Sequence, residues 1–224
     1  MCGRFNVTDD PYAQTLMRSL GIDIGPLPKP RYNIAPTDRI PVIHELDSKR
    51  AVTEMRWWLV PSWSDGPSQK YTMFNARCET LAKSRAFRGP FKRTRAIIPA
   101  SSFIEWQKTA SGKQPYLIEP QDSALAFAGL WDLWQGDGEQ IYSCSIVTTD
   151  AAPNFEWLHN RMPVMLDSDG AAQWLDHGAD TKTLAALFEP VLVVPLVVTP
   201  IDQAVNNSRN KVEPQSVGDS KVIV

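Results

Sequence analysis

The second residue, Cys2, has two groups that could do chemistry together once Met1 is removed. Its side chain belongs to the small class that normally permits removal of the initiating methionine. The chain would then begin with an α-amine, whose reference pKa is about 7.7 to 8.0, beside a thiol with a reference pKa of about 8.5. A useful fraction of both nucleophiles would be unprotonated near neutral pH. With an aldehyde, the amine can form a Schiff base, and the thiol can then add to the same carbon and close a thiazolidine ring.

The open form of an abasic deoxyribose is such an aldehyde, which makes damaged DNA a chemically suitable partner for Cys2. The alternative is that Met1 stays attached and Cys2 is an ordinary packing residue, because most cysteines are inert. The first two residues alone favour this second interpretation, so the hypothesis needs support from the rest of the chain.

A basic segment could bring DNA to this terminus. Between residues 77 and 95 there are seven basic residues and one acid, Glu79, giving a net charge of +6 in a chain whose total is −2. Such a local concentration of charge is what a groove for phosphates requires, although a solvated helix face is an equal alternative. The basic residues are Arg77, Lys83, Arg85, Arg88, Lys92, Arg93 and Arg95.

Composition sets the class of protein. A chain of 224 residues with 43% hydrophobic side chains can bury a substantial core, and we expect one domain over 1–224, or 2–224 after removal of Met1. Neither a membrane span nor a signal peptide is recognisable, so we expect a cytoplasmic monomer that meets the nucleoid only at damaged DNA. The three cysteines form no CxxC pair, which fits a reducing compartment and predicts no metal; we also expect no cofactor. The near-neutral total charge excludes a wholesale nucleic-acid-binding surface.

The elements that must position Cys2 are short, because 18 prolines divide the chain. We predict an α+β fold with a mainly antiparallel, barrel-like sheet surrounded by helices. The predicted strands are 40–46, 51–60, 95–98, 116–118, 124–130, 141–148 and 191–198. The predicted helices are 79–87, 170–176, 181–188 and one that begins at Asp9 or Asp10 and ends at Gly21.

Seven short motifs occur in order along nearly the whole chain. They are residues 1–5 (MCGRF), 31–37 (RYNIAPT), 75–80 (NARCET), 103–106 (FIEW), 128–131 (AGLW), 158–163 (LHNRMP) and 205–210 (VNNSRN). Each motif is weak alone, but the ordered set closely resembles the SOS-response-associated peptidase (SRAP) family, whose members shield abasic sites in single-stranded DNA. The resemblance implies a thiazolidine crosslink between Cys2 and an abasic site, in a positively charged channel that holds a bent single strand.

The same resemblance implies roles for individual residues. Glu105 and His159 would be the acid and base groups beside the reacting sugar, and Asn75 would support the terminal residue. We expect His159 to assist sugar opening and proton transfer, and Glu105 to orient the amine and promote reversal, although the two jobs could be exchanged. Without the motifs, His159 would be read as a structural turn residue and Glu105 as an outward strand position. The residues implied to contact DNA are Arg4, Arg77, Arg85, Arg161, Pro36 and Trp63.

Three other functions are compatible with the residues. An N-terminal-nucleophile hydrolase would use the Cys2 thiol against an amide or ester, with its own amine or His159 as the base. A noncovalent single-strand-binding module would use only the basic segment and exposed tryptophans. An abasic-site lyase would carry the Schiff base at Cys2 into β-elimination, an activity that can coexist with crosslinking.

Overall fold

The computed structural model describes residues 2–8, 11–22, 29–46, 49–68 and 70–224. Within these residues the chain forms fourteen strands and three α-helices, in an α+β arrangement that confirms the predicted fold class. The strands are β1 (Arg4–Val7), β2 (Arg31–Ile34), β3 (Arg39–Leu46), β4 (Lys49–Trp57), β5 (Asn75–Arg77), β6 (Arg95–Ala100), β7 (Ser102–Thr109), β8 (Gly112–Pro120), β9 (Leu125–Gly136), β10 (Glu139–Asp150), β11 (Arg161–Pro163), β12 (Met165–Leu166), β13 (Leu196–Pro200) and β14 (Lys221–Ile223). The helices are α1 (Pro11–Ser19), α2 (Arg88–Arg93) and α3 (Ser168–Leu175).

Five strands close into a barrel, in the order β10-β4-β3-β6-β9, because β9 also pairs with β10. The hairpin between β9 and β10 makes this closure possible. Its two central residues, Asp137 and Gly138, have φ angles of 51° and 78°. Positive φ at both positions is the type I′ geometry whose twist matches that of the flanking strands. The barrel-like, mainly antiparallel sheet is therefore confirmed, and β4 and β5 are parallel exceptions that both pair with β10.

A second, six-stranded sheet has the order β14-β13-β8-β7-β1-β2. Strand β1 lies inside this sheet, because it pairs with β7 on one side and β2 on the other. A buried cluster joins this sheet to the barrel through Phe5, Trp57, Phe103 and Phe127, whose rings meet edge to face. Cys2 belongs to the same cluster. The strand that follows Cys2 is therefore fixed by sheet hydrogen bonds and by aromatic packing.

Helix α1 confirms the prediction from Pro11, while the proposed starts at Asp9 and Asp10 lie outside the described residues. Its end is also as predicted. Gly21 has a φ of 72°, and the N–H groups of Gly21 and Ile22 donate to the carbonyls of Arg18 and Met17 at 2.9 Å each. This is the Schellman arrangement, in which glycine tolerates the left-handed conformation after a helix.

Several predicted elements differ from the observed ones in type or extent. The strand predicted over 51–60 is β4, which ends at Trp57. The segment 79–87 is not a helix: Cys78–Thr80 form one 3₁₀ turn, and the helix of this region is α2. The buried residues of the segment are Leu81, Ala86 and Phe87, whose spacing of five and six cannot share one helix face. The strand predicted over 191–198 begins only at Leu196, after Pro195, which has no N–H to donate. Residues 181–188 contain a 3₁₀ helix, Thr183–Phe188.

One buried arginine joins two helices to the barrel. Arg95 is fully buried, and its guanidinium donates to the carbonyls of Phe91 in α2 and of Trp174 in α3, as well as to that of Asp176. The carbonyls at the end of a helix have no partner within the helix and carry partial negative charge. Arg95 is therefore a structural residue that fixes the C-terminal ends of α2 and α3.

Candidate active site

Cys2 lies just before β1, at the end of the strand nearest Glu105. Arg4 pairs with Ile104 in the antiparallel β1–β7 ladder, so residues before Arg4 and residues after Ile104 meet at the same end. Cys2 is 0% exposed, and its thiol points toward the carbonyl of Arg4 at 3.9 Å. Burial, and next the charge of Glu105, raise the pKa of this thiol far above its usual range. In this enclosed position the thiol therefore holds its proton at neutral pH.

Asn75 holds the backbone of Cys2. It is the first residue of β5, and the parallel pairing of β5 with Ile146 of β10 fixes its position. Its buried Nδ2 donates to the Cys2 carbonyl at 2.8 Å. Its Oδ1 is buried and has no hydrogen-bond partner in the described part of the chain. A buried amide whose nitrogen has a partner and whose oxygen has none can anchor Cys2 and still accept a hydrogen bond from a bound group.

Glu105 and His159 face each other beside Cys2. Glu105 is on β7 and is 4% exposed, and its Oε1 lies 3.9 Å from Nε2 of His159. The backbone N–H of Trp106 also approaches Oε1, at 3.4 Å. The pair is thus placed at the end of β1 where residue 2 lies, as the resemblance implied for these two residues.

The protonation state of His159 follows from its backbone contacts. The N–H of Arg161 donates to Nδ1 of His159 at 3.0 Å, which requires an unprotonated Nδ1 and puts the single proton of the neutral ring on Nε2, facing Glu105. Protonation of the ring would instead let Nδ1 donate to the Arg161 carbonyl, 3.2 Å away. Burial lowers the pKa of His159, and the opposing effect of Glu105 is smaller. The imidazole is therefore neutral at pH 7 and can accept a proton.

Arg161 does not face a site for phosphate. Its side chain is 8% exposed, and its guanidinium donates to Glu79, to Asp150 at 2.7 Å and to the Thr148 carbonyl at 2.8 Å. Two carboxylates would repel a phosphate, and burial leaves no approach for one. In contrast to the phosphate contact implied for it, Arg161 has its guanidinium engaged within the protein, where it ties β11 to β10 beside the backbone that holds His159.

Arg4 has contacts within the protein as well. Its Nη1 donates to Asn33 Oδ1 at 2.9 Å and to the Val205 carbonyl at 2.5 Å, and its guanidinium lies 5.7 Å from the centre of the Trp106 ring. The amide of Asn33 donates in turn to the carbonyls of Val205 and Asn207, at 3.2 and 3.0 Å. Arg4 and Asn33 thus bind the C-terminal segment to the strand that follows Cys2.

Pro36 lies in a tight turn that contains a strained residue. The N–H of Asp38 donates to the Ala35 carbonyl at 3.0 Å, and Thr37 has a φ of 85°. Proline and then a positive φ define a type II turn, which normally places glycine where Thr37 stands. A β-branched residue in this conformation costs about 1 to 3 kcal/mol, and the turn keeps Pro36 at the surface despite that cost.

The three remaining residues implied to contact DNA are accessible. Arg77 is exposed and lies two residues after Asn75 in β5, on the same face of the strand. Trp63 is 49% exposed, and the guanidinium of Arg85 stacks 3.9 Å from the centre of its ring. Among the described residues no group of three or more His, Cys, Asp or Glu side chains could hold a metal ion.

Comparison with known proteins decides the family. The family model described as SOS response associated peptidase (SRAP) matches residues 1–208. The chain belongs to the SRAP family.

This SRAP protein is 34% identical over 218 residues to abasic site processing protein YoqW of Bacillus subtilis, in an alignment that covers 94% of the chain and 96% of YoqW. It is 34% identical over 216 residues to abasic site processing protein HMCES of Xenopus tropicalis, covering 81% of the chain and 64% of HMCES. A crystal structure of a phage-related protein from Bordetella bronchiseptica matches with a TM-score of 0.74 at 27% identity, over 96% of this chain and 100% of the other. One from Bacteroides thetaiotaomicron shares the fold, with a TM-score of 0.72, over 89% of this chain and 92% of the other.

Sequence reasoning missed several residues that shape the SRAP site. Glu79 and Asp150 neutralise Arg161, and Asn33 holds the C-terminal segment. Asn33 and Glu79 both lie inside the ordered motifs, at 31–37 and 75–80, so their positions in the sequence were a signal. The pairing of Glu79 with Arg161 carried no signal, because the two residues are 82 positions apart along the chain. No helix in the described ranges is long and apolar enough to cross a membrane.

Proposed function

We propose that this SRAP protein captures abasic sites in single-stranded DNA by a covalent thiazolidine at Cys2, formed after Met1 is removed. The observation that carries the proposal is that Asn75 holds the Cys2 carbonyl at 2.8 Å while Glu105 and His159 face each other at the same end of β1. The relatives YoqW and HMCES are both named abasic site processing proteins, which supports this substrate. The reactive unit would be a single SRAP domain over 2–224, acting as a cytoplasmic monomer without a cofactor.

The reaction balances without an added oxidant or reductant. Hydrolysis of the bond between Met1 and Cys2, by an aminopeptidase or by the protein itself, frees the amine. The amine nitrogen adds to the sugar aldehyde carbon, and loss of water gives an imine. The sulfur then bonds to the same carbon while the thiol proton moves to the nitrogen, so the adduct weighs protein plus DNA minus one water. Competing β-elimination from the imine would cleave the strand and account for lyase activity.

The neighbouring groups suit these proton movements. The Cys2 thiol holds its proton because it is buried near a carboxylate, so ring closure needs a group that carries the proton from sulfur to nitrogen. Glu105 is a carboxylate whose charge acts on this thiol and suits that step, and neutral His159 can take or give a proton at the sugar oxygen. We assign ring closure and its reversal to Glu105, and opening of the sugar to His159.

The DNA strand would reach this centre over exposed residues of the face that carries Arg77. We propose that Arg77 and Arg85 contact phosphates, and that Arg4 contacts a phosphate from the start of β1. Trp63 and Pro36 would stack against bases or wedge between them. The guanidinium of Arg85 over the ring of Trp63 supports this, because the pair presents a cation beside a flat apolar surface.

Intact-mass analysis tests the central claim. The protein is mixed with a single-stranded oligonucleotide that carries one abasic site, and the products are denatured by heat. We expect the mass of the chain without Met1 plus DNA minus water for the wild type, and no such species for Cys2→Ala. Cys2→Ser should form an imine that borohydride can trap but no heat-stable ring. An identical heat-stable adduct from wild type and Cys2→Ala would refute the thiazolidine.

A second experiment tests Glu105 separately. The preformed adduct is mixed with excess unlabelled abasic DNA, and exchange is followed over time. Glu105→Gln keeps the shape of the side chain and removes its charge, so exchange should slow. Glu139→Gln is the matched control, because Glu139 is exposed beside the β9–β10 turn and has no contact with the reactive centre among the described residues. Unchanged formation and exchange in Glu105→Gln would remove Glu105 from the mechanism.

A further inference from the structure

A cleft of about 700 Å³ lies between α2 and the segment that contains Ser62 and Trp63. Its walls carry four exposed basic side chains, from Arg85, Arg88, Lys92 and Arg93. A volume of this size is within the range of ligand-binding clefts, and the lining has the charge of a site for anions. We call these four side chains and the space between them the basic cleft.

The positive charge of the basic cleft is not neutralised by ion pairs with acidic side chains among the described residues. None of its four cations forms an ion pair within the described part of the chain, whereas Arg95 and Glu79 of the same basic segment are fully engaged with other elements. The lining includes one acid, Asp132, whose two carboxylate oxygens accept hydrogen bonds from the backbone of Ser62 and Leu133, at 2.8 and 2.9 Å. The unpaired cations therefore dominate the field in the cleft.

The walls of the basic cleft are fixed by contacts with buried residues of the protein. Arg95 binds the carbonyl of Phe91, and the Phe91 ring packs 5.9 Å from that of Trp174. Lys92 and Arg93 follow Phe91 directly, so their backbone is fixed although their side chains are exposed. On the opposite wall, Trp63 is covered on one side by Arg85. A fixed wall of cations opposite an aromatic ring fits a strand of nucleic acid, which presents phosphates and flat bases in alternation.

The basic cleft also continues the proposed path of DNA along the chain. Asn75 contacts Cys2, Arg77 is exposed two residues later, and the chain then turns through Cys78–Thr80 and reaches Arg85 and α2. We propose that the basic cleft binds consecutive phosphates of the same DNA strand outside the nucleotide that reacts with Cys2. The inference rests on the proposed function and extends its DNA contacts to Arg88, Lys92 and Arg93.

The test compares the salt dependence of binding to an undamaged single strand. In the triple variant Arg88→Gln/Lys92→Gln/Arg93→Gln, three phosphate contacts are lost, and the slope of log K against log salt should become shallower by about 2, since each contact contributes about 0.7 for single strands. The affinity advantage of the wild type should then fall about 20-fold between 50 and 200 mM salt. The control variant Lys49→Gln/Lys113→Gln/Lys182→Gln loses the same charge at exposed sites elsewhere and should keep the wild-type slope.

Three outcomes would overturn the inference. They are equal slopes for the wild type and the cleft variant, an equal change in the control variant, and displacement of the DNA by inorganic tripolyphosphate at concentrations far below those needed for a matched oligonucleotide. The last outcome would identify a site for free polyphosphate. Crosslinking of a saturating abasic oligonucleotide at low salt is measured in parallel. If the wild type gives no crosslink, the proposed function fails, while the slopes on undamaged DNA still decide the basic cleft.

Discussion

Replacement of Arg161 by methionine should destabilise the fold and leave the salt dependence of DNA binding unchanged. Methionine keeps the length and apolar stem of the side chain and removes the charge and the hydrogen bonds to Glu79, Asp150 and Thr148. Those hydrogen bonds tie β10, β11 and the segment after β5 together. Their loss should therefore lower the stability of the folded state and leave the affinity for DNA unchanged.

The size of the effect follows from the exposure of the partners. Breaking a buried pair by removing one member costs about 3 to 5 kcal/mol, because the other charge stays buried. Here the carboxylates of Glu79 and Asp150 are 45% and 74% exposed, so water can solvate them once Arg161 is gone. We therefore expect a loss below that range, about 2 to 3 kcal/mol, which lowers the melting temperature of a chain of this length by about 4 to 12 °C.

The stability difference should also depend on pH. The hydrogen bond from Arg161, the largest contribution, lowers the pKa of Glu79. A carboxylate whose pKa is depressed on folding contributes stability that is complete above its unfolded pKa of about 4.3 and is lost as the pH falls through the folded value. The gap between wild type and Arg161→Met should therefore be full at pH 7 and shrink below about pH 4.

Urea unfolding at pH 7 and at pH 3.5, followed by fluorescence, measures both effects, with exposed Arg209→Met as the control. The salt slope of binding to single-stranded DNA is measured on the same three proteins. An unchanged unfolding midpoint together with a shallower salt slope for Arg161→Met would show that Arg161 contacts phosphate. That result would refute a structural role for Arg161 through its ion pairs with Glu79 and Asp150.

Four further predictions concern single residues. Asn75→Ala leaves the Cys2 carbonyl without its donor and should slow single-turnover crosslinking about tenfold, by the roughly 1 to 3 kcal/mol of an unsatisfied buried group; normal rates would exclude an anchoring role. The crosslinking rate should fall on acidification as His159 takes up a proton, at a pH below the ordinary histidine range because burial lowers its pKa, and His159→Gln should abolish that limb of the pH profile. Arg77→Ala should make the salt slope shallower by about 0.7, and an unaltered slope would argue against phosphate contact. Thr37→Gly should stabilise the fold by about 1 kcal/mol in urea unfolding, because glycine adopts the positive φ without strain.

The sequence predicted the class of fold but not the closure of the barrel. Prolines and runs of β-branched residues mark short strands wherever they occur, which is why β3, β4, β6, β8, β9 and β10 were found. The pairing of β9 with β10 depends on an Asp137–Gly138 turn beyond the ends of both predicted strands, so their lengths and their contact were missed. Long-range strand order depends on packing that no local pattern encodes.

The candidate site shows the same division between residue type and partner. The motifs predicted Asn75, Glu105 and His159 as neighbours of Cys2, and the structure brings them to one end of β1. Arg161 was implied to be a phosphate ligand by its place in the motif at 158–163. Its partners come from elsewhere in the chain, and only the fold shows that two carboxylates already occupy it. An arginine's charge can be read from a sequence, whereas its availability cannot.

The burial of Cys2 in the finished fold limits the time during which residue 2 is accessible while the chain is being synthesised. The residue leaves the ribosome first, but its strand cannot be completed until Ile104 is made, and Arg4 finds its last partner only at Val205. At the usual rates of about 5 to 20 residues per second, the start of the chain waits roughly 5 to 20 s for Ile104 and twice as long for Val205. If an aminopeptidase exposes Cys2, this interval is its opportunity, because the finished fold holds residue 2 at 0% exposure. A change in the translation rate of the first half of the messenger RNA would then change the fraction of protein molecules in which Met1 is removed and the Cys2 amine is free.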